Sequence, residues 1–389
     1  MNDNSVKWLW MQQLFGIGTR RAHEAYEHFG SPEELLSTPI SRIENDRFLT
    51  AEEKEAVKCH DFSEAEEIIA KTLDFGASVI TPDSAEYPES LRNIHSMPLV
   101  LYGMGDFSLL RDRYLISMVG TRSPDEYGAA AAKKLSGEIA SLGGVVVSGL
   151  AYGIDAFCHK AALEAGGKTV AFVAGGLDID YPKKNRVLRG MIQNPENGLV
   201  LSEYPLGTPA LGHHFQTRNR LISGVSMATV IVQCSAKSGT MLTAGHAISQ
   251  SRDLFAVPNS ILSSVGDGCN LLLAQGVEPA ISGEAILRRY ESVYGYPIDQ
   301  PNNQQITLFV DEEQPVKKSA ARTENEIPDY LNTVQAAVMR RLFEGECQLD
   351  ELCDSLSVSA AEIMTALTGL ELFGLAEILP GRMVRRRIS

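Results

Sequence analysis

Between Val119 and Asn270 the chain repeatedly runs an apolar, strand-like segment into a Gly- and Ser-rich turn and then into a helix-like segment. This alternation predicts a parallel sheet with right-handed crossover connections. In an open sheet of that kind the turns lie together at the carboxyl ends of the strands. Backbone N–H groups and helix N-termini face outward there and favour anions. The sequence therefore predicts an edge that binds a ligand with several phosphates.

Four turns carry this prediction, together with the lysine that precedes the last of them. They are Gly120-Thr121-Arg122, Ser148-Gly149-Leu150-Ala151, Gly175-Gly176 and Ser238-Gly239-Thr240 after Lys237. The predicted strands are 115–119, 145–147, 169–174, 199–201, 229–234 and 254–257. The predicted helices are 127–142, 153–165, 215–225 and 240–250. The expected fold class is α/β, with a Rossmann-like parallel sheet as its core.

Several signatures of cofactor and metal chemistry are missing from the chain. There is no GxxxxGK[ST] and no GxGxxG, which disfavours a kinase, a motor or a nicotinamide dehydrogenase. The six cysteines are scattered, without a CxxC pair or a zinc-like His/Cys spacing. We expect no cofactor, no metal and no catalytic residue. No apolar run reaches the length of a membrane helix and no basic leader is evident, so we expect a cytoplasmic protein.

Charge is distributed unevenly along the chain. The net charge is -14, but residues 97–290 carry 17 Lys and Arg against 15 Asp and Glu, and both ends are acidic. A local basic groove is therefore compatible with the acidic total, because phosphate responds to the charge nearby.

The pattern predicts three domains and a linker. Residues 1–72 form a helical, SAM-like or helix-hairpin-helix domain, and 73–290 form the core, with an opening segment at 73–113. Residues 291–328 read as a linker rich in Pro, Asn, Gln and charge, and 329–389 as a winged helix. The turn FGIGTRR (15–21) fits a DNA-contacting hairpin or, as we favour, a helix ended by glycine.

The winged helix has two possible roles. Its third helix (359–372) contains Glu362 and Glu371 and neither Lys nor Arg, which suits protein contact better than a DNA groove. One feature of this domain could hold phosphate instead. It is the arginine tail, Arg382, Arg385, Arg386 and Arg387.

Candidate binding residues cluster after the predicted strands. Arg122 follows the first strand in a glycine turn, where phosphate contact is favoured over a plain surface role. Ser148 and Gly149 could supply amides or merely form a turn. Tyr181, Lys183, Lys184 and Asn185 place a stacking ring beside two cations, although Tyr181 could equally be core.

Two further groups are open to more than one interpretation. Arg218, Asn219 and Arg220 are expected to begin a helix, with one arginine facing the groove and one pairing a carboxylate such as Glu203. Asp155 and His159 lie four residues apart on a helix face, where capping and packing are favoured over acid–base catalysis.

Seven segments, taken in their order along the chain, resemble one protein family. They are GTRSPDEYG (120–128), VVSGLAYGIDAFCHKAAL (146–163), GGLDIDYPKKNRVL (175–188), LSEYPLG (201–207), FQTRNRLISGVS (215–226), SGTMLTAGHAISQSRDLFAVP (238–258) and GCNLLLAQG (268–276). Together they look like the DNA-processing protein A family, called DprA or Smf. Two positions depart from the family pattern. Gln216 stands where a proline is usual, and Asn259 where a glycine commonly follows Val-Pro.

The resemblance implies single-stranded DNA binding, loading of the RecA recombinase and a role in natural transformation. It also implies a homodimer formed through the core, for which 221–227 and 241–248 are candidates unless they are merely buried. Two alternatives stay open: a sensor of a small nucleotide, and a nucleotide phosphoribohydrolase-like enzyme of the same superfamily. The second is weaker, because the Pro-Gly-Gly-x-Gly-Thr signature is absent.

Overall fold

A computed structural model describes residues 3–111, 113–296, 298, 333–343, 345–356, 358–372, 375–379 and 383–386. The chain divides into two compact units, Met1–Gln304 and Gln305–Ser389. Within the described ranges, no helix is long and apolar enough to span a bilayer. Most of the predicted linker, residues 297 and 299–328, lies outside the described residues.

The first unit begins with a helical head. In the described part of the chain it consists of α1 (Asp3–Phe15), α2 (Arg20–Phe29), α3 (Pro32–Ser37), α4 (Ile40–Asn45), α5 (Ala51–Cys59) and α6 (Ser63–Asp74). Gly16 ends α1 at a φ of 92°, and its amide donates to the Gln12 carbonyl at 2.8 Å. The Thr19 side chain then caps α2 by accepting from the Ala22 amide. The turn at 15–21 is thus a glycine-terminated helix followed by a capped one.

The head packs directly on the core that follows it. The Gln12 side-chain carbonyl accepts from the Val100 amide at 3.0 Å. A Cβ at Gly18 would lie 2.6 Å from the Thr217 methyl and 3.1 Å from Glu203 Oε2. The second glycine of FGIGTRR therefore allows a close approach to the core, which is a structural reason for its presence.

Strands from residue 78 to residue 279 form one sheet. Its nine described strands are β1 (Ser78–Ile80), β2 (Leu101–Gly105), β3 (Leu115–Gly120), β4 (Val145–Ser148), β5 (Lys168–Phe172), β6 (Gly198–Ser202), β7 (Ala228–Gln233), β8 (Asp253–Ala256) and β9 (Glu278–Pro279). Their spatial order is β1-β2-β6-β5-β4-β3-β7-β8-β9, and the ladder from β6 to β9 is parallel. β2 pairs antiparallel with β6, and β1 antiparallel with β2.

Helices cover both faces of the sheet. They are α7 (Glu89–Arg92), α8 (Glu126–Ser141), α9 (Ile154–Glu164), α10 (Arg186–Ile192), α11 (Gly212–Val225), α12 (Thr240–Ser249), α13 (Asp267–Ala274) and α14 (Gly283–Tyr294). Strands β4, β6 and β7 are buried along their whole length, as expected for a sheet covered on two sides. The predicted Rossmann-like α/β fold is confirmed.

Two details of the predicted core are wrong. Helix α11 begins at Gly212, so Arg218, Asn219 and Arg220 lie in its middle and do not begin it. Residues 291–294, assigned to the linker from composition, form the last turn of α14, which Gly295 closes in a left-handed conformation. Strands β1 and β2 were not predicted.

The second unit has the winged-helix elements expected from the sequence. Its described helices are α15 (Thr333–Leu342), α16 (Leu349–Leu356) and α17 (Ala360–Leu372). Its described strands β10 (Cys347–Gln348), β11 (Ala376–Leu379) and β12 (Met383–Arg386) pair antiparallel in the order β10-β12-β11. Val338, Leu352, Ile363 and Val384 are fully buried at its centre. Arg382 and Arg387 of the arginine tail lie outside the described residues.

Candidate nucleic-acid interface

The direction of chain progression reverses between β3 and β7. Strands β4, β5 and β6 follow β3 on one side, whereas β7, β8 and β9 lie on the other. Crevices at the carboxyl ends of such a reversal are the usual ligand sites of open α/β sheets. A cavity of about 440 Å³ opens there, which we call the switch-point basin. It is lined by Val119, Gly120, Thr121, Arg122, Ala151, Asp155, Gly212, Phe215, Gln216, Arg218, Asn219, Ile222, Ser238, Gly239, Thr240 and Thr243.

Arg122 is the exposed cation of this basin. Its guanidinium carbon lies 4.9 Å from the centre of the Phe215 ring, a cation–π contact. Tyr181, 40% exposed, meets the same ring edge-to-face at 5.4 Å between centroids. Among the described residues, no carboxylate forms an ion pair with Arg122. Its fork of N–H donors is therefore available for an anion.

The amino end of α12 forms the opposite wall. Gly239 stands at the N-cap position and no side chain in the described ranges caps the helix. Ser238, Gly239 and Thr240 line the basin, so the positive end of the helix dipole faces it. Lys237 is exposed beside this wall but does not line the cavity.

Arg218 supports the basin from beneath and is only 4% exposed. Its Nη1 donates to the Gly149 carbonyl at 2.7 Å and to the Phe172 carbonyl, which ties the ends of β4 and β5 to α11. Burial lowers the pKa of Arg218 to about 10, against the opposing effect of Asp155. A Cβ at Gly149 would lie 2.6 Å from this guanidinium and from the Asp155 carboxylate. Gly149 is thus required by packing.

Arg220 has a different role from the DNA contact suggested by its motif. Its Nη2 donates to both oxygens of Glu203, at 2.8 and 2.9 Å, and its Nε donates to the Ser96 carbonyl. Both partners are buried. The expected pairing with Glu203 is present, but the guanidinium is enclosed and does not line the basin. Asn219 does line it, while accepting a hydrogen bond from Arg218 Nε at 3.2 Å.

Asp155 and His159 are structural in this arrangement. His159 Nε2 accepts from the Leu150 amide at 3.3 Å, so the ring proton is on Nδ1 and is donated to Thr169 Oγ1 at 2.6 Å. Burial lowers the pKa of His159 to about 3, which keeps the ring neutral. Asp155 accepts from the Ala151 amide, and burial raises its pKa. Both side chains hold the turn after β4.

The amides that were expected to face outward at this edge are not all free. The Thr121 amide donates to the Gln233 carbonyl at 2.7 Å, and the Gly176 amide donates to the Thr208 carbonyl at 2.9 Å. The buried Ser148 hydroxyl donates to the Met118 carbonyl. A Cβ at Gly175 would lie 2.8 Å from the Thr208 carbonyl oxygen, so this glycine admits a neighbouring loop.

The segment 181–185 is divided between surface and structure. Lys183 and Lys184 are exposed. The Asn185 amide instead donates to the Leu150 and Ala151 carbonyls, at 2.9 and 3.0 Å. Asn185 therefore holds the second turn in place beside the basin, while the two lysines keep their charges at the surface.

Two residues that sequence reasoning did not select prove central. Phe215 contacts Arg122, Arg218 and Tyr181, and its signal was an aromatic ring three residues before Arg218 of the basic motif. Gln233 is fully buried at the end of an apolar strand. Its side chain forms hydrogen bonds with Asp125 in the loop between β3 and α8, which also carries Arg122 and is called the Arg122 loop below. A polar residue at a strand end was the available signal.

The two departures from the family pattern also find places. Gln216 lines the switch-point basin. The Asn259 side-chain oxygen accepts from Gln233 Nε2 at 3.0 Å, and its amide nitrogen donates to the Val257 carbonyl at 2.8 Å. Asn259 therefore adds a partner to the Gln233 network.

Comparison with known families matches both units. Residues 78–291 match the family model described as DNA recombination-mediator protein A. Residues 322–382 match the DprA winged helix domain. Protein Smf of Synechocystis sp. is 31% identical over 405 residues, which cover 99% of this chain and 100% of that protein. DNA processing protein DprA of Bacillus subtilis is 35% identical over 252 residues, 65% of this chain and 84% of that protein.

Two solved structures are similar as well. The X-ray structure of DNA processing protein A from Streptococcus pneumoniae has a TM-score of 0.64 and 29% identity, covering 74% of this chain and 98% of that chain. DNA processing protein A from Helicobacter pylori, studied for its single-stranded DNA binding mode, has a TM-score of 0.50 and 29% identity. That match covers 56% of this chain and 96% of the other.

Proposed function

The chain belongs to the DNA recombination-mediator protein A family, and from this premise we propose that it binds single-stranded DNA across the switch-point basin. The observation that carries the proposal is the exposed Arg122 guanidinium stacked on Phe215, opposite the uncapped end of α12. Phosphate is held by forked donors and helix ends, and bases stack on aromatic rings. The Helicobacter relative, known for its single-strand binding mode, supports the same ligand.

The proposal assigns different tasks to the residues expected from the sequence. Arg122, Gly239 and Thr240 contact phosphate, with Gly120, Thr121, Ser238 and Asn219 forming the walls. Tyr181 stacks beside Phe215, and Lys183, Lys184 and Lys237 supply further positive charge around the opening. Arg218, Asn185, Ser148 and Gly149 shape the site from below. Arg220 acts only through its ion pair.

In the cell, we propose, the cytoplasmic protein covers incoming single strands and loads RecA onto them in natural transformation and recombination. The family description as a recombination mediator supports this role. A loading factor should allow RecA to assemble on strands already covered by a single-strand-binding protein. The test is RecA's strand-dependent ATP hydrolysis on such covered strands. Unchanged hydrolysis on adding this protein would contradict the loading role.

We further propose a homodimer through the outer face of α12. Leu242, Gly245 and Ile248 are exposed on that face, and Ile261 and Leu262 are almost fully exposed in a nearby part of the sequence. Of the other candidate segment, Leu221, Ile222 and Val225 belong to the core. Sedimentation velocity should show Leu242→Glu and Ile248→Glu shifting the protein to monomers. Val187→Glu, at an exposed apolar position on α10, is the control, and a parent that is monomeric would refute the assembly.

The decisive experiment is fluorescence anisotropy with labelled single strands of increasing length, competed by duplex and by mononucleotides. We expect binding to strengthen with length, to weaken steeply with salt and to resist duplex competition. Saturation by one mononucleotide would favour a nucleotide sensor instead. Release of free base or phosphate that depends on Asp155 or Glu203 would favour an enzyme.

A further inference from the structure

A second cavity adjoins the switch-point basin at Arg122. Its volume is about 600 Å³, and we call it the outer basin. It is lined by Arg122, Ser123, Pro124, Asp125, Glu126, Ala129, Tyr152, Gly153, Phe157 and Lys184. Arg122 also lines the switch-point basin and is the residue that the two lining sets share. A volume of about 300–1,000 Å³ is typical of small-ligand sites and admits a nucleoside.

The outer basin has the chemistry of a nucleoside site and lacks that of a phosphate site. Arg122 and Lys184 are balanced by Asp125 and Glu126. The Asp125 carboxylate accepts from the Gly128 amide and from Gln233 Nε2, and both hydrogen bonds, the first most strongly, lower its pKa, so it stays charged. Tyr152, in contrast, is a large ring left 38% exposed. An uncharged base can stack there and use the carboxylates as hydrogen-bond acceptors.

The backbone that follows Tyr152 is held against the backbone of Thr121 and Arg122. The Ile154 amide donates to the Thr121 carbonyl at 3.1 Å. Gly153, at a φ of 75°, brings its backbone so close that a Cβ would lie 2.4 Å from the Thr121 carbonyl oxygen. On the other side, Asn185 binds the Leu150 and Ala151 carbonyls and thereby fixes the base of the Lys184 segment. The backbone segments that carry Tyr152 and Lys184 are therefore fixed before a ligand binds, which lowers the entropic cost of binding.

We propose that Tyr152 and Lys184 form a second nucleoside subsite. A single strand crosses Arg122 with one phosphate on the guanidinium, one nucleoside beside Phe215 in the switch-point basin and the next nucleoside on Tyr152 in the outer basin. This inference rests on the proposed single-strand binding. It adds the path of the strand over the protein and the minimum strand length that fills both basins. Phe215 serves the first nucleoside and Tyr152 the second.

The test combines strand length with side-chain identity. Unlabelled oligothymidylates, from one to six nucleotides, compete with a labelled long strand on the full chain. We expect Tyr152→Ala to weaken the binding of strands that fill both basins. The loss in affinity should be between about fivefold and a hundredfold, the usual effect of one lost stacking contact. The shortest strand that competes measurably should be unaffected. Tyr152→Phe should keep parental affinity, whereas Phe215→Ala should weaken every length.

Tyr294→Ala is the matched control, because this tyrosine is similarly exposed and lines neither basin. Equal affinities of parent and Tyr152→Ala at every length would refute the subsite. Uniform weakening at every length would refute it too, since it would indicate a distorted Arg122 loop. In either case a loss of binding in Arg122→Ala would leave the proposed function standing. A parent that binds no strand would end both proposals.

Discussion

Gln233 and Asp125 exchange two hydrogen bonds beneath the loop that carries Arg122. The Asp125 amide donates to Gln233 Oε1 at 3.1 Å, and Gln233 Nε2 donates to Asp125 Oδ1 at 2.8 Å. The Gln233 backbone carbonyl also accepts from the Thr121 amide at 2.7 Å. One buried residue thus holds the loop on both sides of its arginine.

The first prediction concerns this support. Gln233→Leu keeps the approximate size but leaves the Asp125 amide without its partner, which should cost about 1–3 kcal/mol of stability and loosen the loop. Strand affinity should fall because Arg122 is no longer held in place. Single-strand titrations of the parent, Gln233→Leu, Arg122→Ala and the double variant form a thermodynamic cycle. We expect the double variant to bind like Arg122→Ala alone, and additive losses would contradict the supporting role.

The second prediction is that Arg122 is the most sensitive single position for strand affinity. Arg122→Ala should cost about 1.5–3 kcal/mol, because a charge-assisted forked contact is lost. Arg122→Lys should recover only part of this, since an ammonium cannot reproduce the fork. Lys183→Ala and Lys184→Ala should each cost less. Anisotropy titration and thermal melting on the same variants are the measurements. Parental affinity in a normally melting Arg122→Ala protein would refute the prediction.

The third prediction concerns the buried pair of Arg220 and Glu203. Glu203→Gln leaves the enclosed guanidinium without a counter-charge and should destabilise the fold by about 3–5 kcal/mol. Replacing both partners, with Glu203→Leu and Arg220→Met, should cost less than the single change, because no buried charge is left unpaired. Urea unfolding compares the three proteins. A double variant less stable than Glu203→Gln would show that the unpaired charge is not the main cause of the loss.

The fourth prediction is a pH dependence due to His159. The unfolded ring has a pKa of about 6.5, whereas burial holds the folded ring at about 3. Between these values only the unfolded chain takes up the proton, so stability should fall as the pH decreases, by at most about 1.4 kcal/mol per pH unit. Above pH 6.5 this contribution is constant.

His159→Gln provides the comparison for this effect. Its amide oxygen can still accept from the Leu150 amide but does not titrate, so the variant should be less stable at neutral pH and lose less on acidification. Urea unfolding of both proteins across the interval isolates the histidine, because Asp155 is common to them. Parallel stability curves would rule out the assigned role.

Local pattern was sufficient for most of the core. The strands β3 to β8 and the helices α8, α9, α11 and α12 were predicted within a few residues, since long apolar runs separated by glycine turns leave few alternatives. The short helix α10 (Arg186–Ile192) was not predicted. The three-residue β1 and the antiparallel β2 were missed, because short segments carry little periodicity and their pairing is long-range. The contact of Arg122 with Phe215 joins the loop after β3 to helix α11, which is distant in the chain, and no local signal specifies it.

The sequence by itself determined which segments become strands, that their turns meet at one edge of the sheet, and that Arg122 stands at that edge. Only the tertiary structure decided which polar groups stay available there. The Thr121 and Gly176 amides and the Arg218 and Arg220 side chains are taken by carbonyls or a carboxylate from distant segments. Buried polar groups must find partners, and the partner depends on which segments pack together, not on neighbours in the chain.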